Sequence, residues 1–449
     1  MINVPKTAPS AQNRYLYYGG QLNRLPSSLG SALVACFKLP VLRSIFPQCF
    51  RDLWAPRNED LDSHGYDESL DTFIVRRFGE PVASNLVSAI IHGIYAGDIR
   101  ELSVRSVFPS LVEAEQVNGG IMRSALPRWL NPRYRRPAVD SSAAAAADVA
   151  AVERRLDPAL VAEMKRTSIY SFPEGLGEVV SALEAHIAAA PHVEIWKEAP
   201  CDALVPSPEG PMFIATRHQA EPLVADRVVA TLPSAHLSLL LPDLPHLEYN
   251  PRAHLAVVDV VLAPPAGSNG KVFQLPVHGF GYLVPRSAEG NDDQILGVVF
   301  DSDAVSNQGP DSDSFVKLTV MMGGPYWKQA MRFPSEDELE ARALRALVYQ
   351  LGLPEEQVRS YLRRVRVRLL QNTIPQYLVG HPARMRELHA ALRNDPRYRE
   401  RLTLLGCSYT GVGVNDCVAG ALDAGDAIAE AELGSGAPDT SGLACMSGV

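Results

Sequence analysis

The sequence predicts an α+β protein with an α/β portion, and three observations carry that reading. Apolar residues recur at helical spacing over much of the first 120 positions, whereas after Gly175 they alternate with polar ones, the period-two mark of strands. Near the C-terminus, the stretch from Arg401 to Gly420 runs from an apolar strand through a glycine turn into a helix start.

Each element has its own signal. Glu68 to Phe78 and Val82 to Ile94 carry helical spacing, and the segment from Arg100 through Leu111 continues the helical region through a turn. Ala143 to Ala151 is Ala-rich and predicts a surface helix or an insertion without chemistry. Strands are expected at Val193–Trp196, Met212–Thr216, Leu223–Leu232, Leu255–Leu262, Ile295–Phe300, Val316–Met322 and Arg364–Leu370. The third of these ends at Pro233, which suits a sheet edge facing a ligand and equally a plain buried strand.

Composition narrows the function. At 449 residues, with 46% hydrophobic and 21% charged, the chain has material for two or three domains. A formal charge of −9 excludes the general basic excess that nucleic acid demands, so no nucleic-acid partner is expected. Six cysteines without C-x-x-C spacing fit a reducing compartment, and no uncharged run is long enough to predict a transmembrane helix. The first thirteen residues, with Lys6 as their one basic residue, carry no recognisable targeting signal. No H-E-x-x-H, G-x-S-x-G or paired-Cys metal signature occurs, so neither a metal site nor a general base is nominated.

Two stretches break the average. Between Arg24 and Arg57 five basic residues face a single acid, amid Phe37, Phe46, Phe50 and Trp54; an interfacial membrane surface and a helical subdomain packed on the core both account for this. The second is Cys407-Ser-Tyr-Thr-Gly-Val-Gly-Val-Asn-Asp-Cys417, where a helix N-terminus would aim unpaired N–H groups at an anionic or electron-rich ligand. Asn415 and Asp416 are the expected caps, and Gly420, Ala421, Ala424 and Gly425 would allow the helix to approach a sheet closely. No G-x-G-x-x-G occurs anywhere in the sequence, so this stretch reads as half of a flavin site.

Five blocks in order now point to a family. They are Asn13-Arg-Tyr-Leu-Tyr-Tyr-Gly-Gly20, Arg100 to Leu111, Pro276-Val-His-Gly-Phe-Gly-Tyr-Leu-Val-Pro285, Ile374-Pro-Gln-Tyr-Leu-Val-Gly-His381 and Gly411 to Cys417. The chain resembles the protoporphyrinogen oxidases of the flavin amine-oxidase superfamily, from about residue 13 to about residue 430. The resemblance implies oxidation of protoporphyrinogen IX to protoporphyrin IX in haem synthesis, with FAD as hydride acceptor and molecular oxygen as final oxidant. It also implies a p-cresol methylhydroxylase/amine-oxidase-like flavoprotein fold, peripheral attachment to the surface of the mitochondrial inner membrane, and allows a homodimer.

By resemblance, Arg14 meets a substrate propionate, Phe280 and Leu283 clamp the tetrapyrrole rings, and Gly93 leaves room for the macrocycle. Cys201, Cys407, Val412, Gly413 and Val414 match the FAD contacts, made mainly through backbone atoms. Residues 16–150 correspond to a helical membrane-associating domain, 151–191 with 241–371 to the substrate-binding domain, 192–240 with 372–434 to the remaining FAD domain, and 435–449 to a flexible tail. The family's Gly-rich βαβ unit has no counterpart in this sequence, so an N-terminally truncated member is expected, with an inactive porphyrin-binding relative as the alternative. A polyamine oxidase or carotenoid desaturase is disfavoured by Arg14 and the Phe280 block.

Overall fold

The largest element is a mixed sheet of seven strands, in a computed structural model that describes residues 1–26, 40–63, 65–124, 153–154, 156–208, 210–265, 272–309, 311–434 and 438–445. Fourteen strands are named in chain order: β1 (Ile2–Pro5), β2 (Arg14–Tyr18), β3 (Gln21–Arg24), β4 (Thr167–Ser171), β5 (Cys201–Val205), β6 (Met212–Thr216) and β7 (Leu223–Ala225), then β8 (Val228–Ala230), β9 (Leu255–Leu262), β10 (Gly281–Leu283), β11 (Ile295–Val299), β12 (Val316–Gly323), β13 (Leu362–Leu370) and β14 (Leu402–Leu404). The large sheet runs β13-β9-β12-β11-β10-β2-β3, and its β10–β2 pair is parallel while its other pairs are antiparallel.

Alternation builds this sheet. Ala256, Val258, Val260 and Leu262 of β9 point to one face, and the register sets Val258 opposite Val320 and Val260 opposite Leu318 of β12, so two apolar rows coincide. The helix Glu336–Tyr349 covers that face with Leu339, Ala343, Ala346 and Leu347, each buried. A capping box starts it: Ser335 Oγ accepts from Glu338 N–H at 3.3 Å, and Glu338 Oε2 accepts from Ser335 N–H at 2.7 Å.

A helical layer packs beside the other end of the sheet, through Pro40–Cys49, Leu70–Phe78, Ser88–Tyr95, Val104–Val107 and Pro109–Asn118. Leu16 of β2 is buried inside this layer's core with Phe73, Ile91 and Leu102, which joins layer to sheet. The helix expected over Val82–Ile94 is present, with a single π-helical stretch at Ala83–Val87. Residues 14–24, which the domain boundary at 16 divides, are strands β2 and β3. The segment 27–39 and the Ala-rich 143–151 lie outside the described residues. Within 40–56, Val41 and Ile45 are buried in the helical core, while Trp54 is 75% exposed. No helix of the described residues is long and apolar enough to cross a membrane.

A third cluster gathers Leu204, Met212, Leu237, Met385, Leu388, Leu402, Leu404 and Tyr409 around the parallel pair β8–β14 and the meander β5-β6-β7. Two strand expectations change here. Val193–Trp196 is not a strand: it belongs to none of the described sheets, Val193 N–H donates instead to Ala190 O at 3.2 Å, and Val193 and Ile195 are exposed. Leu223–Leu232 is divided between β7 and β8, which belong to different sheets. The helix Val414–Glu432 buries only Ala424 among the described residues, and a Cβ on Gly420 or Gly425 would meet nothing within 4 Å, so the close approach expected of its small residues is not made.

Charges are buried within the helical layer. Arg77 is fully buried and pairs with Asp52 and, at 3.0 Å, with Glu115, while donating to Gly119 O at 3.0 Å; Met122 N–H donates to Asp52 Oδ2 at 2.7 Å. Removing one partner strands the other in a low-dielectric core. Asp52→Ala is therefore expected to lose about 3–5 kcal/mol of stability, read as a lower denaturant midpoint at unchanged slope.

Candidate active site

The parallel pairing of β2 with β10 sets Arg14 opposite Gly281 and Leu16 opposite Leu283. Gly281 is required there: its φ is +141°, and a Cβ would lie 2.1 Å from Val298 O. Phe280 N–H donates to Asn13 O at 3.0 Å, which draws the ring beneath the neighbouring Arg14, whose guanidinium carbon stands 5.9 Å from the ring centroid. Arg14 is exposed and has no ion pair among the described residues. Its charge is free for an anion.

Gly93 adjoins Leu283 from the helical layer. It lies on the helix Ser88–Tyr95, and a Cβ on it would stand 2.7 Å from Leu283 Cδ2. That helix is fastened to the strand end by buried His92, whose Nδ1 lies 2.8 Å from Val284 O, and by Arg286 N–H donating to Ser88 Oγ at 3.1 Å. Burial pushes the His92 pKa down, so the ring is neutral and donates from Nδ1. Arg14 thus stands beside Phe280, and Gly93 beside Leu283, at the junction of β2, β10 and this helix.

The glycine turn after β14 is fixed from behind. The carbonyl of Cys407 accepts from Tyr377 Oη at 2.6 Å, that of Ser408 from Asn250 Nδ2 at 2.9 Å, and that of Tyr409 from His381 Nε2 at 2.8 Å. The rings of Tyr377 and His381 stack at 4.2 Å with 9° between planes. Ser234 N–H adds a bond to Ser408 Oγ at 3.1 Å, and Leu405 N–H pairs with Ala230 O at 3.0 Å. Tyr377 and His381 belong to a block the sequence singled out; Asn250 carried no such signal.

Beyond the turn, Asp416 Oδ2 accepts from Gly413 N–H at 3.0 Å and caps the helix Val414–Glu432. Asn415 does not cap: its Oδ1 lies 3.2 Å from Tyr170 Oη. Gly411 is needed because a Cβ would meet Asp416 at 2.5 Å. The first-turn N–H groups of Val414 and Asn415 have no intrahelical partner, and Val414 is 67% exposed. Val412 packs against the same helical core as Leu283. Cys201, expected at a strand end, opens β5 and packs in the core that holds Leu404 and Tyr409. Burial raises the pKa of its thiol, which keeps it protonated and argues for a packing role.

Backbone donors, glycine clearance and exposed apolar residues suit the edge of a flat, electron-rich heterocycle. A flavin ring fits that description. Cys407, Val412, Gly413 and Val414 would meet it there, while the sequence holds no G-x-G-x-x-G loop for a pyrophosphate.

Burial pushes the His381 pKa down to about 4, and its Nδ1 has no partner among the described residues. The unfolded chain, with an ordinary histidine, binds the extra proton first, so the contribution of neutral His381 is complete above about pH 6.5 and is lost as pH falls towards 4. Over that window the stability advantage of wild type over His381→Gln is expected to shrink by roughly 3 kcal/mol, as measured by urea denaturation.

Comparisons with known proteins follow this geometry. The model of the family "Flavin containing amine oxidoreductase" matches residues 4–429. Protoporphyrinogen oxidase of Bos taurus is 35% identical over 415 residues, covering 91% of this chain and 77% of the bovine protein. That of Schizosaccharomyces pombe is 32% identical over 437 residues, covering 93% and 79%. In the fold alone, a crystal structure of a protoporphyrinogen oxidase candidate from an Exiguobacterium species aligns with TM-score 0.63 at 21% identity, over 93% of this chain and 79% of that one. FAD is accordingly the cofactor, and this chain belongs to the flavin containing amine oxidoreductase family, among the relatives of protoporphyrinogen oxidase.

Proposed function

We propose that this chain oxidises protoporphyrinogen IX to protoporphyrin IX, with molecular oxygen as the final oxidant. The observation that carries the reading is the free guanidinium of Arg14 over Phe280, with Leu283 beside Gly93 at the same junction of β2, β10 and the helix Ser88–Tyr95. A flat macrocycle bearing propionates asks for this set: one unpaired cation at the rim, apolar faces for the rings, and a glycine where a larger residue would intrude. FAD, when bound, supplies the hydride-accepting ring. Arg14 orients the carboxylate, Phe280 and Leu283 hold the ring plane and exclude water, and the turn at 406–414 fixes the edge the substrate faces. No side chain is assigned to proton transfer.

The helical layer rests on a membrane surface in this reading. Supporting it, Trp54 and Phe50 are exposed beside Arg51, an arrangement suited to an anionic headgroup boundary.

Two measurements test these statements. Reconstituted with FAD and followed by porphyrin fluorescence, Arg14→Ala is expected to raise KM at least tenfold with kcat within about threefold, since a contact shared by ground and transition states is removed; an unchanged KM would take Arg14 out of the site. In flotation with vesicles of mixed neutral and anionic phospholipid, Trp54→Ser with Phe50→Ser is expected to cut the bound fraction severalfold, and equal flotation of wild type and variant would refute the surface assignment.

A further inference from the structure

The loop that presents Phe280 is held by a carboxylate that the proposed chemistry does not use. Asp303, in the short helix Asp301–Ala304, places Oδ2 3.0 Å from His278 Nδ1 and accepts from Gly279 N–H at 3.0 Å. From the other side, the carbonyl of His278 accepts from Asn13 Nδ2 at 2.9 Å and from Tyr15 Oη at 3.1 Å. The ring of contacts closes through the backbone: Phe300 N–H donates to Phe280 O at 3.0 Å, and Asp303 N–H donates to Phe300 O at 3.0 Å. Gly279 fits only without a side chain, since a Cβ would lie 2.5 Å from Asn13 O.

Phe280 of the proposed clamp and Arg14, the proposed carboxylate contact, both hang on this latch. Phe280 directly follows the two groups that Asp303 holds, and Arg14 lies between Asn13 and Tyr15, the two residues that grip the His278 carbonyl. We infer that Asp303 is a positioning residue for the tetrapyrrole: without touching it, the carboxylate fixes the placement of Phe280 against Arg14 and so sets the affinity for a flat dicarboxylate ligand. The inference rests on the substrate reading proposed above. Without the carboxylate, Gly279 N–H and His278 lose their partner, and the ordering of the loop must then be achieved when ligand binds.

A purely electrostatic role has the opposite sign, because removing a negative charge near Arg14 favours an anionic ligand. The test uses the full chain with FAD, protoporphyrin IX as binding probe by fluorescence, and steady-state turnover of protoporphyrinogen. Asp303→Ala is expected to weaken probe binding and raise KM about tenfold with kcat within twofold, while Asp303→Asn, which keeps an acceptor for Gly279 N–H, stays within about threefold of wild type. His278→Ala, which leaves the Gly279 bond intact, should lose about threefold and decides the matter if Asp303→Ala does not fold. Binding by Asp303→Ala that is unchanged or tighter, while Arg14→Ala binds weakly, overturns the latch and leaves the substrate reading standing. Wild-type binding by Arg14→Ala and Asp303→Ala alike overturns the substrate reading itself.

Discussion

The parallel pairing of β2 with β10 is the contact on which the rest of the site depends. These strands lie far apart in sequence, and their register sets Arg14 opposite Gly281 and Leu16 opposite Leu283, which brings Phe280, one residue before the strand, to Arg14. A one-residue slip would reverse every side chain along the strand, moving Leu16 out of the helical core. The tolerance is set by glycine: a side chain at 281 would strike the carbonyl of Val298. Non-local pairing is costly in chain entropy, and the burial of Leu16 and Tyr282 offsets it.

Polarity is distributed by the same logic. Histidines that hold backbone carbonyls, His92 and His381, are buried and neutral, with pKa values pushed down by desolvation. The arginine assigned to a ligand is exposed and unpaired, whereas the arginine placed in the core, Arg77, is met by Asp52 and Glu115. Buried Arg77 is neutralised from within, whereas Arg14, exposed and without an ion pair among the described residues, stands over the Phe280 ring.

Local patterns were legible in the sequence, and assembly was less so. Strands β9, β12 and β13 followed from alternation because one face of each meets a core, while β11, buried on both faces, followed from its unbroken apolar run. Val193–Trp196 misled because alternation records a side-chain pattern, not the presence of a neighbouring strand to bond with. The split of Leu223–Leu232 escaped for a related reason, since both halves have strand composition and only the fold sends them to different sheets. Arg14, Phe280 and Leu283 came from blocks of sequence and Gly93 from the family resemblance; the fold sets Arg14 beside Phe280 and Gly93 beside Leu283. Asn250 and Asp303 were missed: a lone polar residue in a loop or a single helical turn has no periodicity, and its partners lie more than twenty positions away.

The two sides of the site differ in how firmly they are made. The wall proposed for the substrate is built from a packed sheet, a helix anchored through buried Ala89, Ile91 and Tyr95, and a closed ring of hydrogen bonds, so changes there should act on ligand affinity while the fold stands. The flavin turn is gripped from behind at residues 407–409, yet the helix it leads into has Val414, Val418 and Leu422 exposed and a single buried residue among those described. A ligand lying across the turn covers part of that apolar surface and satisfies the free N–H groups at the helix start. Because such a ligand binds the folded chain alone, its affinity adds directly to folding stability. Cofactor occupancy and stability should therefore be coupled at the turn, whereas substrate affinity and stability are separable at the wall.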